Sequence, residues 1–268
     1  SDGTDIWVAS WYQNSVARFD TISNSFKESI SIGTHPGPMT FSGGKIWATN
    51  YEDRTISVID PNSRKVISII NLPTNPYEIT SNSRFVWVYG DQIRPSITKI
   101  DSSSMQILKT LSAPIGIPGQ VEQIAANESG LWYCDIPNRR LTKINATTDE
   151  IVGYNQLTNV CDTLTVSEDL VAANVGYSLH VFDARTSQNI ASIPHNFKFI
   201  QHMALNGNYL MASVWDGFNQ SQPGTFYEID LNSRSILGST QVGIDPIDFQ
   251  LVNNRVWLIN NNDSTLMS

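Results

Sequence analysis

A segment of about 40 residues recurs along this chain, and that recurrence restricts the possible folds more than any other feature. Its mark is a short apolar strand, usually centred on tryptophan: DIWVAS at Trp7, KIWATN at Trp47, FVWVYG at Trp87, GLWYCD at Trp132, DLVAAN at Val171, YLMASV at Leu210 and RVWLIN at Trp257. An alternating strand follows and ends in Asp or Asn, at Asp20, Asp60, Asp101, Asn145, Asp183 and Asp230. A third strand begins near Phe26, Val66, Ile107, Ile151, Ile190 and Ile236, and a fourth centres on Met39, Ile79, Ile124, Leu164, Met203 and Phe249. Alternation with period 2, β-branched residues and Gly, Asn, Ser and Pro punctuation all predict strands. No segment holds a helical period over ten residues, so helices are expected to be nearly absent.

Four short strands per unit, repeated around an axis, are the β-propeller solution to unpaired sheet edges. The expected fold is therefore all-β: a seven-bladed β-propeller of four-stranded antiparallel blades, forming one domain over residues 1–268. The repeat units fall at residues 5–44, 45–83, 84–129, 130–168, 169–207 and 208–254, with a partial unit at 255–268. The first two strand types occur seven times and the other two six times. Closing seven blades needs one more strand at each end, so the chain is expected to begin and stop inside a blade of a longer protein.

Composition narrows the partners. The chain has 268 residues, 40% of them hydrophobic and only 16% charged, which excludes a disordered or coiled-coil chain. Its net charge of −8 opposes binding to nucleic acid. No apolar run approaches the roughly 18 residues of a membrane helix and Ser1 opens no recognisable secretory leader, so the chain as it stands is expected to be soluble, without direct membrane insertion.

Each Asp or Asn that ends a second strand opens an Asp/Asn-x-x-Ser/Thr turn, in which a side-chain oxygen can accept backbone N–H groups. These residues are expected to shape hairpins and not to bind metal. The connections differ from blade to blade. Intervals from the fourth-strand centre to the Trp position are 7 or 8 residues throughout, whereas two other connections are lengthened, at 112–119 and 214–224. Because neighbouring strands alternate in direction, both long loops are expected on one face of the propeller, and loops on a constant scaffold are where function concentrates.

Three sets of candidate residues belong to that face. The first residues of the innermost strands line the channel mouth, and Glu78, Glu122, Asp162, His202 and Asp248 form a candidate ligand site there, with a divalent cation as the only cofactor to consider. Trp11, Tyr51, Trp215 and Phe218, with Tyr12, are candidate rim aromatics for a protein or carbohydrate partner, with packing between blades as the competing account. Cys134 and Cys161, the only cysteines, fall at the same face of neighbouring blades, where either a disulfide or two buried thiols would fit. His35, His195 and His202 lie near the face without metal-ligand spacing, and His180 lies mid-blade.

The segment ATNYEDRTISVIDPNSRKVISIINLPTNPYEI, Ala48 to Ile79, closely resembles a YVTN-type β-propeller repeat in its strand-Asn-Tyr opening, its S-V-I-D strand and its N-P-Y lead into the innermost strand. The likeness runs through the whole chain in degraded form. It implies a seven-bladed propeller of the kind often exported to the periplasm, cell surface or an extracellular surface assembly, where many members act as binding scaffolds. The repeat is more distantly similar to that of the streptogramin lyases, which place histidines and a glutamate around a divalent cation. Only His202, with acids on neighbouring blades, corresponds to that set, so no catalytic residue carries over. The leading expectation is a noncatalytic, exported interaction scaffold using one loop face, in a larger chain or surface assembly. The alternative is a metal-dependent lyase or lactonase with its site at the channel mouth.

Overall fold

The computed structural model describes residues 2–90, 95–112, 123–215, 222–253, 255–261 and 265–268. Every regular element among them is a β-strand, and no helix long and apolar enough to cross a membrane occurs. The strands begin with β1 (Asp5–Ser10), β2 (Ser15–Asp20), β3 (Ser25–Ser31), β4 (Pro36–Ser42), β5 (Lys45–Asn50), β6 (Thr55–Asp60), β7 (Lys65–Asn71) and β8 (Pro76–Ser81). They form seven antiparallel sheets, the blades of a β-propeller. Five sheets have four strands, while the first, β1-β2-β3, and the last, over residues 246–267, have three each. Sheets thus start one strand earlier than the repeat units: β4, which closes the first unit, pairs with β5 of the second.

The chain divides into two compact units. One comprises Ser1–Leu131, Asp135–Pro137 and Ala146–Thr148, the other Trp132–Cys134, Asn138–Asn145 and Asp149–Ser268. In the first, Trp47, Ile56, Val58 and Ile70 of the second sheet, with Leu72 just beyond it, pack on Ile79, Val86, Val88 and Ile100 of the third. The second unit repeats this scheme, with Leu179, Val181 and Ile193 of the fifth sheet against Met203, Leu210, Ala212 and Val214 of the sixth. Faces of alternating apolar residues bury each other, which is why period 2 in the sequence becomes a core between blades.

Strand register corrects two positions of the repeat. Trp7, Trp47 and Trp87 each pair with the residue two before the closing Asp: Arg18, Val58 and Lys99. In the fifth and sixth sheets that place is held by Ala172, opposite Val181, and Met211, opposite Glu228, and not by Val171 and Leu210. The interval from the fourth-strand centre is then 8 residues in all six blades that have both strands. With no aromatic marker in those copies, a branched aliphatic neighbour was the nearest visible match. Part of the slip comes from a shorter hairpin, in which Val175 pairs with Ser178 across Gly176 and Tyr177, with Gly176 at φ 63°.

Two lysines are buried beside these strands. Lys99 donates from Nζ to the Ala146 carbonyl at 2.6 Å and lies 3.9 Å from the Phe85 ring centroid. Lys143 donates to the Ala184 carbonyl at 2.6 Å and lies 5.0 Å from the Trp132 ring; desolvation pulls its pKa down, opposed by the charge of Asp183. A buried ammonium is tolerable only with such partners.

The Asp turns form as their spacing requires. Asp60 accepts from the backbone of Asn62 and Ser63 and from the Ser63 hydroxyl, Arg64 closes the turn in the left-handed region at φ 59°, and Asp20, Asp101, Asp183 and Asp230 repeat the pattern. Hydrogen bonds to the charged form hold all five carboxyls below their usual pKa: chiefly the Ser23 N–H for Asp20, the Ser63 and Ser103 hydroxyls for Asp60 and Asp101, and the Thr186 and Asn232 N–H groups for Asp183 and Asp230. A lowered folded pKa means stability that is present above the unfolded value, near 3.9, and is lost as pH falls through the folded one. Urea midpoints are therefore expected to hold from pH 7 to 5 and to fall steadily from about pH 4 to 2; a midpoint unchanged at pH 2.5 would contradict the turn reading.

Candidate aromatic groove

The ends of the Trp strands and the starts of the innermost strands meet in the first unit to form a groove. Trp11 opens the four-residue loop from β1 to β2, and Tyr51 opens the equivalent loop from β5 to β6. Each loop ends in a left-handed residue, Asn14 at φ 52° and Arg54 at φ 54°, so both turn alike and present their first residue outward. The link from β3 to β4 runs between them. His35, also left-handed at φ 52°, donates its N–H to Asn14 Oδ1 at 3.0 Å and accepts the Tyr51 N–H at 3.0 Å. Thr34 N donates to Asp53 Oδ2 at 2.7 Å. At Gly33 a Cβ would fall 2.6 Å from both the Asn50 side chain and Asp53 Oδ2, so only glycine lets this link approach.

The innermost strand supplies the other wall. Register shifts at the entry of β8, between Pro76 and Glu78, and such a bulge re-aims the residue it contains. That residue is Tyr77, whose hydroxyl shares a 2.7 Å hydrogen bond with that of Tyr51. Asn75 Nδ2 holds the Tyr51 carbonyl at 2.8 Å. The aromatic rings then run in sequence: His35 stacks on Trp11 with centroids 4.6 Å apart and planes 6° apart, Trp11 meets Tyr51 at 5.9 Å, and Tyr51 meets Tyr77 edge to face at 5.1 Å. Trp11, Tyr51 and Tyr77, with Gly37, Pro38 and Pro76, line an open cavity of about 370 Å³. Trp11 is 41% exposed, a large exposure for a tryptophan this well buttressed. Acidic groups flank the groove: Glu52 and Asp53 are exposed, and Glu52 Oε1 lies 3.0 Å from His35 Nδ1.

Of the four rim aromatics expected from the sequence, Trp11 and Tyr51 come together here. Trp215 belongs to the second unit, where its ring lies 6.2 Å from Phe199, and Phe218 lies outside the described residues, as do Glu122, residues 113–119 of one lengthened loop and 216–221 of the other. Tyr77, Pro38 and Pro76 were missed as partners of Trp11. The signal was present in the repeat, since Trp11 and Tyr51 occupy equivalent places and Gly37 stands where the next copy has Tyr77, leaving room in the groove.

Glu78 sits in the first unit at the entry of β8, where Oε1 accepts the Ile79 N–H at 3.1 Å. The other described channel-mouth candidates, Asp162, His202 and Asp248, lie in the second unit. His202 Nε2 stands 3.4 Å from Asp248 Oδ1, and its ring meets Phe249 edge to face. Asp162 Oδ1 accepts from Asn174 Nδ2 at 2.7 Å, and desolvation raises its carboxyl pKa against the effect of that bond. Asn174 Oδ1 meets His195 Nε2 at 2.8 Å, and His195 Nδ1 accepts the Phe197 N–H, so Nε2 carries the proton of a neutral imidazole. Burial lowers the His195 pKa, which favours that neutral form. An amide between carboxylate and imidazole orients both but does not relay a proton. Among the described residues no three His, Cys, Asp or Glu side chains stand together as a metal-binding group. Cys134 and Cys161 are joined as a disulfide, with Cα atoms 5.5 Å apart and both residues buried.

No protein-family model matches the chain, and no curated protein matches it by sequence. Its solved structural neighbours are seven-bladed β-propeller-like folds. One is a chain from the crystal structure of the mitotic checkpoint complex, with TM-score 0.76 and 13% identity over 99% of this chain and 83% of that one. Another is a chain of Kuenenia stuttgartiensis hydrazine synthase, with TM-score 0.78 and 12% identity over 99% of this chain and 92% of that one. At such identities the likeness is one of fold alone, and this chain is a β-propeller.

Proposed function

We propose that the protein is a noncatalytic interaction scaffold that engages a partner through the groove of Trp11, Tyr51 and Tyr77. The observation that carries this reading is the preformed run of aromatic rings, with Trp11 exposed and His35, Tyr51 and Tyr77 half-buried, held by hydrogen bonds among three loops and flanked by carboxylates. Rigid, partly exposed Trp and Tyr side chains are the groups that dominate binding energy at interfaces. The propeller fold is in general a protein-interaction scaffold, and the neighbour from the mitotic checkpoint complex belongs to a multiprotein assembly. We also propose that the chain works outside the reducing cytosol, in the periplasm, at the cell surface or in the extracellular space. The Cys134–Cys161 bond supports this, because such bonds persist in oxidising compartments.

The alternative reading, a cation-dependent lyase or lactonase, draws its support from the His202–Asp248 pair. Two measurements separate the readings. Bait carrying Trp11→Ala and Tyr51→Ala is expected to lose at least nine-tenths of the partners that wild type retains from an extracellular fraction, with melting temperature within about 2 °C of wild type. Calcium, magnesium or zinc at millimolar concentration is expected to leave melting temperature unchanged. Retention that survives both substitutions, or a metal-induced rise abolished by His202→Ala, would favour the enzyme.

A further inference from the structure

We infer that the groove takes a proline-rich peptide in the polyproline II conformation, with a basic side chain placed against Glu52 and Asp53; this rests on the interaction reading above. Ring geometry selects among the ligands that favour aromatic sites. A cage for a quaternary ammonium needs its rings spaced so that the cation sits between their faces. Here the rings touch one another, with centroids 4.6 to 5.9 Å apart, and form a continuous surface with no box to enclose a cation. A saccharide needs acceptors and donors spread around the ring that it stacks on, and this lining is tryptophan, tyrosine, proline and glycine. Its polar side-chain groups are an indole N–H and two phenol hydroxyls, the latter bonded to each other.

A polyproline II segment meets those features. It has no internal hydrogen bonds, so its carbonyls are open acceptors for the indole N–H and for the one phenol proton that the Tyr51–Tyr77 bond leaves over, and its pyrrolidine rings are flat apolar bodies suited to aromatic faces. It rises about 3.1 Å per residue, so a three-residue turn covers about 9 Å, close to the run from Trp11 to Tyr77 with its centroid steps of 5.9 and 5.1 Å. Its stiffness also lowers the entropy lost on docking. Charge complementarity fixes the flanking residue. Glu52 and Asp53 are exposed at one edge of the groove, and the whole chain carries −8, so a peptide arginine or lysine is favoured there and an acidic residue is repelled.

The test is fluorescence anisotropy with a labelled eleven-residue peptide of three Pro-Leu-Pro triplets between terminal arginines, titrated with the protein. Saturable binding is expected, at least tenfold weaker for an analogue with alanine in place of proline, and at least tenfold weaker for Trp11→Ala or Tyr51→Ala. Glu52→Gln with Asp53→Asn is expected to weaken binding about threefold and to flatten its salt dependence. These exposed carboxylates give a readout even if an aromatic variant proves unstable. Equal affinity for the proline and alanine peptides would overturn the inference. So would binding indifferent to all four substitutions. Should choline or an oligosaccharide of glucose instead bind with Trp11 dependence, the interaction reading stands and the proline inference falls. If none of the three probes gives a Trp11-dependent signal, both fall.

Discussion

Replacing Cys134 and Cys161 together by alanine is expected to lower the melting temperature by about 10 °C. The two residues are 27 apart in sequence, and closing a loop of that size in the unfolded chain removes entropy equivalent to about 3.5 kcal/mol at 25 °C. A chain of this size loses about 2 to 4 °C of melting temperature per kcal/mol. Position adds to the effect. Cys134 lies in the strand Gly130–Asp135 and Cys161 opens Cys161–Val166, the innermost strand of the following sheet, so the bond ties two blades at the level where their hydrogen bonding does not connect them. Both sulfurs are buried, so a mild reductant added to native protein is expected to leave the bond intact, while the same reductant in urea opens it. Alanine is the better replacement because serine would leave hydroxyls in an apolar site. A double-alanine protein melting within about 2 °C of wild type would show that the bond adds nothing to stability.

The fold was legible because its information is periodic. Trp7, Trp47, Trp87, Trp132 and Trp257 mark one strand of five blades, and the Asp turns mark the end of the next, so spacing alone placed the strands and the unequal count that leaves three-stranded sheets at both ends. Legibility failed where a residue departs from its usual habit. Ala172 and Met211 fill the tryptophan place without resembling it, and only the pairing with Val181 and Glu228 reveals them. Lys99 and Lys143 read as surface residues, and their burial depends on carbonyls 47 and 41 residues further along, at Ala146 and Ala184. The groove was half visible. Trp11 and Tyr51 could be placed at one rim by counting from the strand, but Tyr77 faces them because of a bulge in β8, which interrupts the alternation from which facing is read, so that the buried positions Pro76 and Ile79 stand three residues apart. A partner's identity is a property of such local detail and not of the repeat.

The same repeat makes a quantitative prediction about the core. Trp47→Ala is expected to destabilise the protein by about 4 kcal/mol, since a fully buried aromatic truncated to alanine loses both its transfer energy and the contacts around the cavity. Trp47 is 0% exposed and packs with Ile56, Val58 and Ile70 of its own sheet and Ile79 and Val88 of the next, so the void would open between two blades that cannot close independently. Its indole adds a specific term. Nε1 donates to the Ser42 carbonyl at 3.1 Å, whereas Nε1 of the equally buried Trp132 has no hydrogen-bond partner among the described residues. Phenylalanine removes the donor at both positions, but only at position 47 does it leave a carbonyl behind without it. Trp47→Phe is therefore expected to cost about 1 kcal/mol more than Trp132→Phe. Met211 shows what the position accepts when the aromatic is absent: a long, flexible apolar chain, 6% exposed. Trp47→Met should consequently recover about half the loss of Trp47→Ala. Urea unfolding of the four variants orders them directly. Equal losses for the two phenylalanine variants would mean that the indole hydrogen bond is neutral and that tryptophan recurs in these blades for its volume alone.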